Sequence, residues 1–332
     1  MLSIRENLLE TIRGGHPDRF VKQFEYQNWI GDPMMGIYMG KMQKGGQWKT
    51  GWGVTMIMPE QGPGAFPLCD NMHKVIKDVA HWRDYVEAPD IVLGDTAWEE
   101  YIAKAERVDR HEQFVTATVF NGIFEKAHFM LGLEDTMIAM YEEPEAMKEL
   151  FQYLADWEIL IAEEYAKYVK PDCLFHHDDW GTQKSLFMSK DMFDEFLLEP
   201  YKRVYNTWKA RGVEIIVHHS DSYIGELIPS MIEMGVDIHQ GILDTNNIPM
   251  LIQKYGSKIS FMGGLNNGKY DKENWRKEEI RAGLSELLEQ TCGMNHLIPA
   301  LTMGEPGSIF KDVYGCVNEL LTEEFDQKYF PS

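Results

Sequence analysis

Glu214-Ile215-Ile216-Val217-His218-His219-Ser220-Asp221-Ser222-Tyr223 is the stretch on which the fold turns. A run of β-branched residues stops on two histidines and an acid, and a helical pattern from Ile224 to Met234 follows at once. An apolar run of this length reads as a buried parallel strand. Ionisable groups at its C-terminal end stand where α/β proteins place their chemistry. The same layout occurs one unit earlier, where Cys173-Leu174-Phe175 runs into His176-His177-Asp178-Asp179-Trp180 and a helix follows from Lys190. Polar groups at a strand end also cap helices and satisfy loops, but two such clusters in equivalent positions favour a site.

From residue 172 onward the pattern is regular. Strands over 173–178, 214–219, 236–240, 259–263 and 296–301 alternate with helices over 190–211, 223–234, 247–255, 272–291 and 308–322. Strict alternation implies a parallel sheet. Earlier strands at Phe20–Tyr26 and Phe114–Phe120 bring the total to seven or eight, which with this length favours one closed (β/α)8 barrel over a doubly wound sheet. Helices are expected over Ser3–Arg13, which Ser3 can cap and Gly14-Gly15 end, and over 70–80, 96–106, 134–141 and 144–169. Residues 31–70, rich in Gly, Pro, Met and Trp, read as a loop-rich excursion from a single 1–332 barrel domain with an N-terminal helical and loop extension. No G-x-G-x-x-G follows a first strand and no phosphate-loop lysine motif is present, so nucleotide binding loses support.

The 332 residues include 32 Lys+Arg against 53 Asp+Glu, a formal charge of −21. That balance excludes nucleic acid, whose phosphates need a cationic face, and speaks against anionic membranes. No uninterrupted apolar stretch is long enough for a membrane span, and Arg5, Glu6, Glu10 and Arg13 interrupt any signal-like run near the start. Cys69, Cys173, Cys292 and Cys316 are scattered without a C-x-x-C pair, as expected of reduced thiols in a cytoplasmic protein.

Every C-terminal strand end of a barrel faces one cavity. The candidates there are His177, Asp178, Asp179 and Trp180; His219, Asp221 and Tyr223; His239 and Gln240; Phe261, Met262 and Asn266; and Thr302, Met303 and Glu305. Gly263-Gly264 would let backbone approach a ligand. Side chains alternate along a strand, so His218 and His219 cannot both face inward, and His219, nearer the mouth, is the inward member. His219 with Asp221 is either half of a metal site or a histidine oriented by a carboxylate.

The chain resembles the uroporphyrinogen decarboxylase superfamily, whose members are single (β/α)8 barrels. The resemblance rests on Ile4-Arg5-Glu6-Asn7 through Asp18-Arg19, on Asp178-Asp179-Trp180-Gly181 with Met188 to Phe193 and Glu199-Pro200-Tyr201, on Val217-His218-His219-Ser220-Asp221, and on Gly263-Gly264-Leu265-Asn266. It covers most of the chain and is thin between 20 and 110. The superfamily holds decarboxylases and corrinoid-dependent methyltransferases. The arginine-rich motif with which the decarboxylases grip porphyrinogen carboxylates has no counterpart, since Gln27-Asn28-Trp29-Ile30 stands there. In the coenzyme M methyltransferases, zinc is held by His-x-Cys and a later Cys. His219 matches the first ligand, Asp221 replaces the cysteine, and Ala300-Leu301-Thr302 offers no thiolate. The resemblance therefore points to an oxygen substrate and to the methyltransferase component of anaerobic O-demethylases, which move the methyl of a methoxylated aromatic compound to the cobalt of a partner corrinoid protein.

On that reading Asp178, Asp179, His219, Asp221 and Asn266 are catalytic. His177, Trp180, Tyr223, His239, Phe261 and Met262 bind substrate. His219 and Asp221 hold a zinc ion with a third ligand from Asp178 or Glu305. The corrinoid (cobalamin) comes with the partner, because this chain has no Asp-x-His-x-x-Gly motif. The alternative is a decarboxylase-like lyase working by acid catalysis without metal.

Overall fold

The computed structural model describes residues 1–60, 64–291 and 295–331. Cys292, and Gly62-Pro63 of the excursion, lie outside the described residues. The strands are β1 (Gln27–Trp29), β2 (Gly46–Lys49), β3 (Thr55–Met58), β4 (Phe66–Pro67), β5 (Phe114–Val119), β6 (Cys173–His177), β7 (Ile215–His219), β8 (Ile238–Ile242), β9 (Ser260–Leu265) and β10 (Leu297–Leu301). Seven of them form one sheet in the order β1-β5-β6-β7-β8-β9-β10, and every neighbouring pair is parallel. Helices between strands cover the outer face, so the strands are buried on both sides and read as continuous apolar runs.

The sheet curls around a core of Phe24, Tyr26, Phe114, Phe175, Val217, Ile238, Met262 and Ile298. First and last strands thus share one interior. Among the described residues, however, no ladder joins β10 to β1. Gln23 spans the gap instead, its Nε2 donating to the carbonyls of Leu301 (3.1 Å) and Met303 (3.0 Å). The expected eight-stranded closed barrel is therefore a seven-stranded curled sheet. The strand read at Phe20–Tyr26 is displaced to β1. That segment turns, with Phe24 at φ 60°, and extended pairing begins only at Gln27.

The N-terminal helix Ile4–Arg13 forms as expected. Ser3 and Glu6 make a reciprocal capping box and Gly14 closes the helix in the left-handed region. Its Leu8 enters the barrel core. Arg5 donates to Asp172 (3.0 Å) and Glu214 (2.7 Å), which pins the helix under the starts of β6 and β7. The chemistry is left to the opposite end.

The excursion is less loop-like than its composition implies. β2, β3 and β4 form a separate antiparallel sheet, preceded by a short helix at Met35–Tyr38. The helix expected over 70–80 is a series of turns leading to a 3₁₀ segment, Val79–Asp84. A helix not read from the sequence, Ile123–Leu131, follows β5 directly. No helix among the described residues is long and apolar enough to cross a membrane. Cys69, Cys173 and Cys316 are free thiols.

Candidate functional site

The register of the central strands sorts the histidines into two tiers. His176, His218 and His239 are partners across β6, β7 and β8, as are His177, His219 and Gln240. The second set shares the parity of Phe175 and Val217 and faces the barrel interior. The first set faces the helices. His176 donates Nε2–H to Glu158 (2.9 Å), and His218 donates to the Asp178 carbonyl (3.1 Å) and accepts from the Tyr205 hydroxyl (2.7 Å). His239 is fully buried, and burial without a partner draws it down to about 3.

This sorting corrects several sequence expectations. His239 is outward and takes no part in the cavity. Trp180 is wholly buried on the outer side, stacked 4.0 Å from the His218 ring. Phe261 packs with the outer core, while its neighbour Met262 lies in the barrel interior beside the Tyr26 hydroxyl. Asp178 is fully buried and serves the fold. Its carboxylate accepts from the backbone N–H of Phe124 (2.8 Å) and Glu125 (3.0 Å) and from the Tyr201 hydroxyl, capping the helix Ile123–Leu131. Gly122 makes that approach possible, since a Cβ there would stand 2.3 Å from Asp178 Oδ2. Asn266 caps the short helix Asn267–Tyr270 through Gly268 N–H (2.9 Å). Gly263 and Gly264 serve packing and not a ligand: a Cβ on Gly264 would meet Leu287 at 2.6 Å. Tyr223 lines a groove with Leu186, Phe187 and Met192. Glu305 is exposed.

What remains at the mouth is compact. His177, Asp179 and His219 each bring one potential ligand atom to within 4.8 Å of the others. The two imidazoles stack at 4.5 Å. His177 Nδ1–H donates to Glu125 Oε2 (3.1 Å), and His219 Nδ1–H donates to the side-chain oxygen of Gln240, whose own amide donates to the Met303 carbonyl (2.9 Å). With both Nδ1 atoms engaged, Nε2 of each ring is left to act. A carboxylate or amide behind an imidazole is how metal-binding histidines are held. Gly304 passes over the face of the His219 ring, where a Cβ would stand 2.8 Å from Cε1, 2.9 Å from Nε2 and 3.0 Å from Cδ2. Two imidazoles and a carboxylate with ligand atoms this close suit zinc or a similar divalent ion.

Asp221, expected as the second ligand, stands outside this trio. After β7 the Ser220 N–H still bonds the Gln240 carbonyl (3.0 Å), but the Asp221 N–H turns to Asp179 Oδ1 (3.1 Å). The chain has left the strand, so alternation no longer places residue i+2 beside residue i. The ligand partner of His219 comes from β6.

The electrostatics follow from burial and mutual charge. Burial opposes the His177 cation, yet the Glu125 carboxylate, then Asp179 and Asp178, raise it to about 10. Burial raises Asp179 to about 6 and, with the Asp179 charge beside it, Asp221 to about 7. Burial and the His177 charge keep His219 neutral, well below the usual imidazole range. Such opposed shifts in one cleft mark acid–base or ligand chemistry. Glu125 and Gln240 went unassigned in the sequence. Glu125 sits in the first turn of a helix with no advance signal, and Gln240 lay at a strand end without an evident task. Phe120, Phe175 and Trp29 wall the cavity: Phe120 is 6.2 Å from the His177 ring and 6.0 Å from Trp29, and Phe175 is 5.0 Å from Trp29.

The family model of uroporphyrinogen decarboxylase (URO-D) matches residues 52–306. A solved methyltransferase from Methanosarcina mazei superposes with a TM-score of 0.68 over 98% of this chain and 100% of that one, at 13% sequence identity. At that identity the likeness is one of fold. No curated protein matches in sequence. The family match spans β3 to β10 and every residue of the His177–Asp179–His219 cluster, and on it the chain belongs to the uroporphyrinogen decarboxylase family.

Proposed function

We propose that this protein is a methyltransferase that moves the methyl group of a methoxylated aromatic compound to the Co(I) centre of a partner corrinoid protein. The observation that carries the reading is the donor set at the mouth. His177, Asp179 and His219 offer nitrogen and oxygen where thiol-activating relatives use sulfur, and hard donors suit activation of an ether oxygen. The fold shared with a methyltransferase supports it.

The corrinoid supplies the nucleophile that takes the methyl carbon. A divalent ion held by the trio would supply Lewis acidity at the ether oxygen. The chain's own residues do the rest. Glu125 and Gln240 fix the two imidazoles. Phe120, Phe175 and Trp29 exclude water and offer flat apolar walls to an arene. When the C–O bond breaks, its electron pair stays on oxygen, and the departing phenolate needs a proton. Asp221, raised to about 7, holds one near neutral pH and lies beside Asp179.

A second reading has one observation in its favour. The same cluster without a metal presents the His177 cation next to two carboxyls that titrate near neutral pH, a proton-donor set for a decarboxylase-type lyase. Mixing the protein with a reduced corrinoid protein and a panel of methoxyarenes separates the two. Methyl transfer changes the cobalt absorbance and needs the partner. Carbon dioxide release without cobalt or metal would replace the first reading by the second.

A further inference from the structure

We propose that Gln23 is a positioning residue for the site: it holds the Met303 carbonyl that decides which end of the Gln240 amide faces His219, and so leaves His219 Nε2 bare for a metal ion. The inference rests on the reading of His219 as a metal ligand in methyl transfer.

Among the described residues β10 has no ladder toward β1, so the carbonyls on that edge need other donors. Gln23 supplies them. It is buried, it precedes the turn at Phe24, and the Tyr314 hydroxyl holds its backbone by donating to the Gln23 carbonyl (2.6 Å). From there Gln23 Nε2 donates to the carbonyls of Leu301 (3.1 Å) and Met303 (3.0 Å). The Met303 N–H donates to Asn267 Oδ1 (2.8 Å). The Met303 carbonyl also accepts from Gln240 Nε2 (2.9 Å). Two side-chain amides therefore converge on one carbonyl, Gln23 from the seam of the barrel and Gln240 from β8.

A carbonyl oxygen can only accept, so the Gln240 amide must turn its NH2 toward Met303. Its oxygen is then left facing His219 Nδ1. An oxygen there demands a hydrogen on Nδ1, and a neutral imidazole protonated at Nδ1 carries its lone pair on Nε2. The reversed amide would set oxygen against the Met303 oxygen and NH2 against Nδ1. The ring proton would then move to Nε2, and that atom could not ligate. The two ends of an amide are nearly equal in size, so shape alone does not choose between these orientations. The Met303 carbonyl does. The same peptide leads into Gly304, where a Cβ would stand 2.8 Å from the His219 ring. Without the Gln23 donors the Leu301 and Met303 carbonyls lose a partner at an unpaired edge, and rotation of the Met303–Gly304 peptide relieves that loss and releases Gln240.

The test is heteronuclear NMR of the full-length, metal-free protein carrying isotopically labelled histidine, with the His219 signals assigned by their loss in His219→Gln. Zinc affinity is read alongside by competition with a chromophoric chelator. The proteins are wild type, Gln23→Met and Gln23→Glu, two substitutions that keep the length of the side chain and remove its N–H donors. Wild type is expected to show a proton on Nδ1 and none on Nε2. In both variants the Nδ1–H fraction should fall to about a tenth, and zinc affinity should fall by the same factor, about tenfold, because only that fraction is competent to bind. A role confined to closing the barrel would lower the urea midpoint and leave the tautomer in place, and that result overturns the proposal. So does a wild-type ring protonated at Nε2, a result that needs no variant to fold. Failure of the parent reading looks different. The tautomer shift in the variants with no zinc bound by wild type keeps the positioning and removes the metal. Zinc-dependent methyl transfer by variants with wild-type tautomer and affinity keeps methyl transfer and removes the part given to Gln23.

Discussion

Replacing Glu125 with Gln keeps the size of the side chain and the bonds around it but removes the charge behind His177. In the wild type that charge holds the imidazole up to about 10, so at neutral pH Nε2 carries a proton that an incoming metal ion must displace. Above pH 7 Asp179 and Asp221 have ionised, at about 6 and about 7, which leaves His177 as the competing proton site. Zinc affinity should therefore rise about tenfold per pH unit from neutral toward pH 9, as expected when one proton is released per ion bound. In Glu125→Gln the main charge opposing the burial of His177, 3.1 Å away, is gone and only Asp179 and Asp178 still favour the cation, so the proton is lost at lower pH and the slope should flatten. Intrinsic affinity falls as well, because the imidazole loses the carboxylate that raises its basicity. Losing the partner behind a ligating imidazole costs about 10–100-fold in affinity, or about 1.4–2.8 kcal/mol. Competition against a chromophoric chelator at several pH values measures both effects. The variant should bind clearly more weakly at high pH and approach the wild type near neutrality. Parallel pH dependences, or equal affinity at pH 9, would refute the assignment of His177 as a ligand held by Glu125.

Three further outcomes are expected. The Asp179 and Asp221 carboxyls have folded-state values above those of the unfolded chain, so the stability they contribute is complete below about pH 4 and is lost as pH rises through about 6 to 7; metal-free Asp221→Asn should melt higher than metal-free wild type at pH 8 and equally at pH 4. Asp178→Ala removes a helix cap and leaves the buried Glu125 N–H and Tyr201 hydroxyl without their acceptor, so denaturant unfolding should show a loss of about 2–4 kcal/mol. Gly304→Ala presses a methyl against the face of the His219 ring, 2.8 Å from Cε1 and 2.9 Å from Nε2, and by shifting that ring should weaken zinc binding, read by chelator competition, with the circular dichroism spectrum unchanged.

The position of the site was legible because β7 announces itself. Ile215 to Val217 is a buried run that ends on His218-His219, and alternation alone made His219 the inward member. The same parity argues that Phe261 and Met262 cannot share a face, and the structure separates them. Which of Asp178 and Asp179 faces the cavity was not legible, because both lie beyond the strand and their directions are set by the helix N-terminus that Asp178 caps. Glu125 was invisible for a similar reason. It reaches His177 across sequence, from a helix whose start is marked only by Asn121 in the left-handed region and by Gly122. The first strand was misplaced by one turn at Phe24, a local break that the apolar pattern of 20–26 does not reveal.

The most direct test of the account is a single-turnover measurement of cobalt absorbance. Reduced corrinoid protein and a neutral methoxyarene are mixed with this protein as purified, after metal stripping, and after zinc is restored. The account predicts one methyl delivered per cobalt by the loaded protein. Stripping should slow transfer by two or more orders of magnitude, the scale of about 10²–10⁴ for losing activation of a leaving group, and zinc should restore it. Transfer at full rate by the stripped protein would contradict the role given to His177, Asp179 and His219, and no transfer by the loaded protein from any methoxyarene would contradict the function itself.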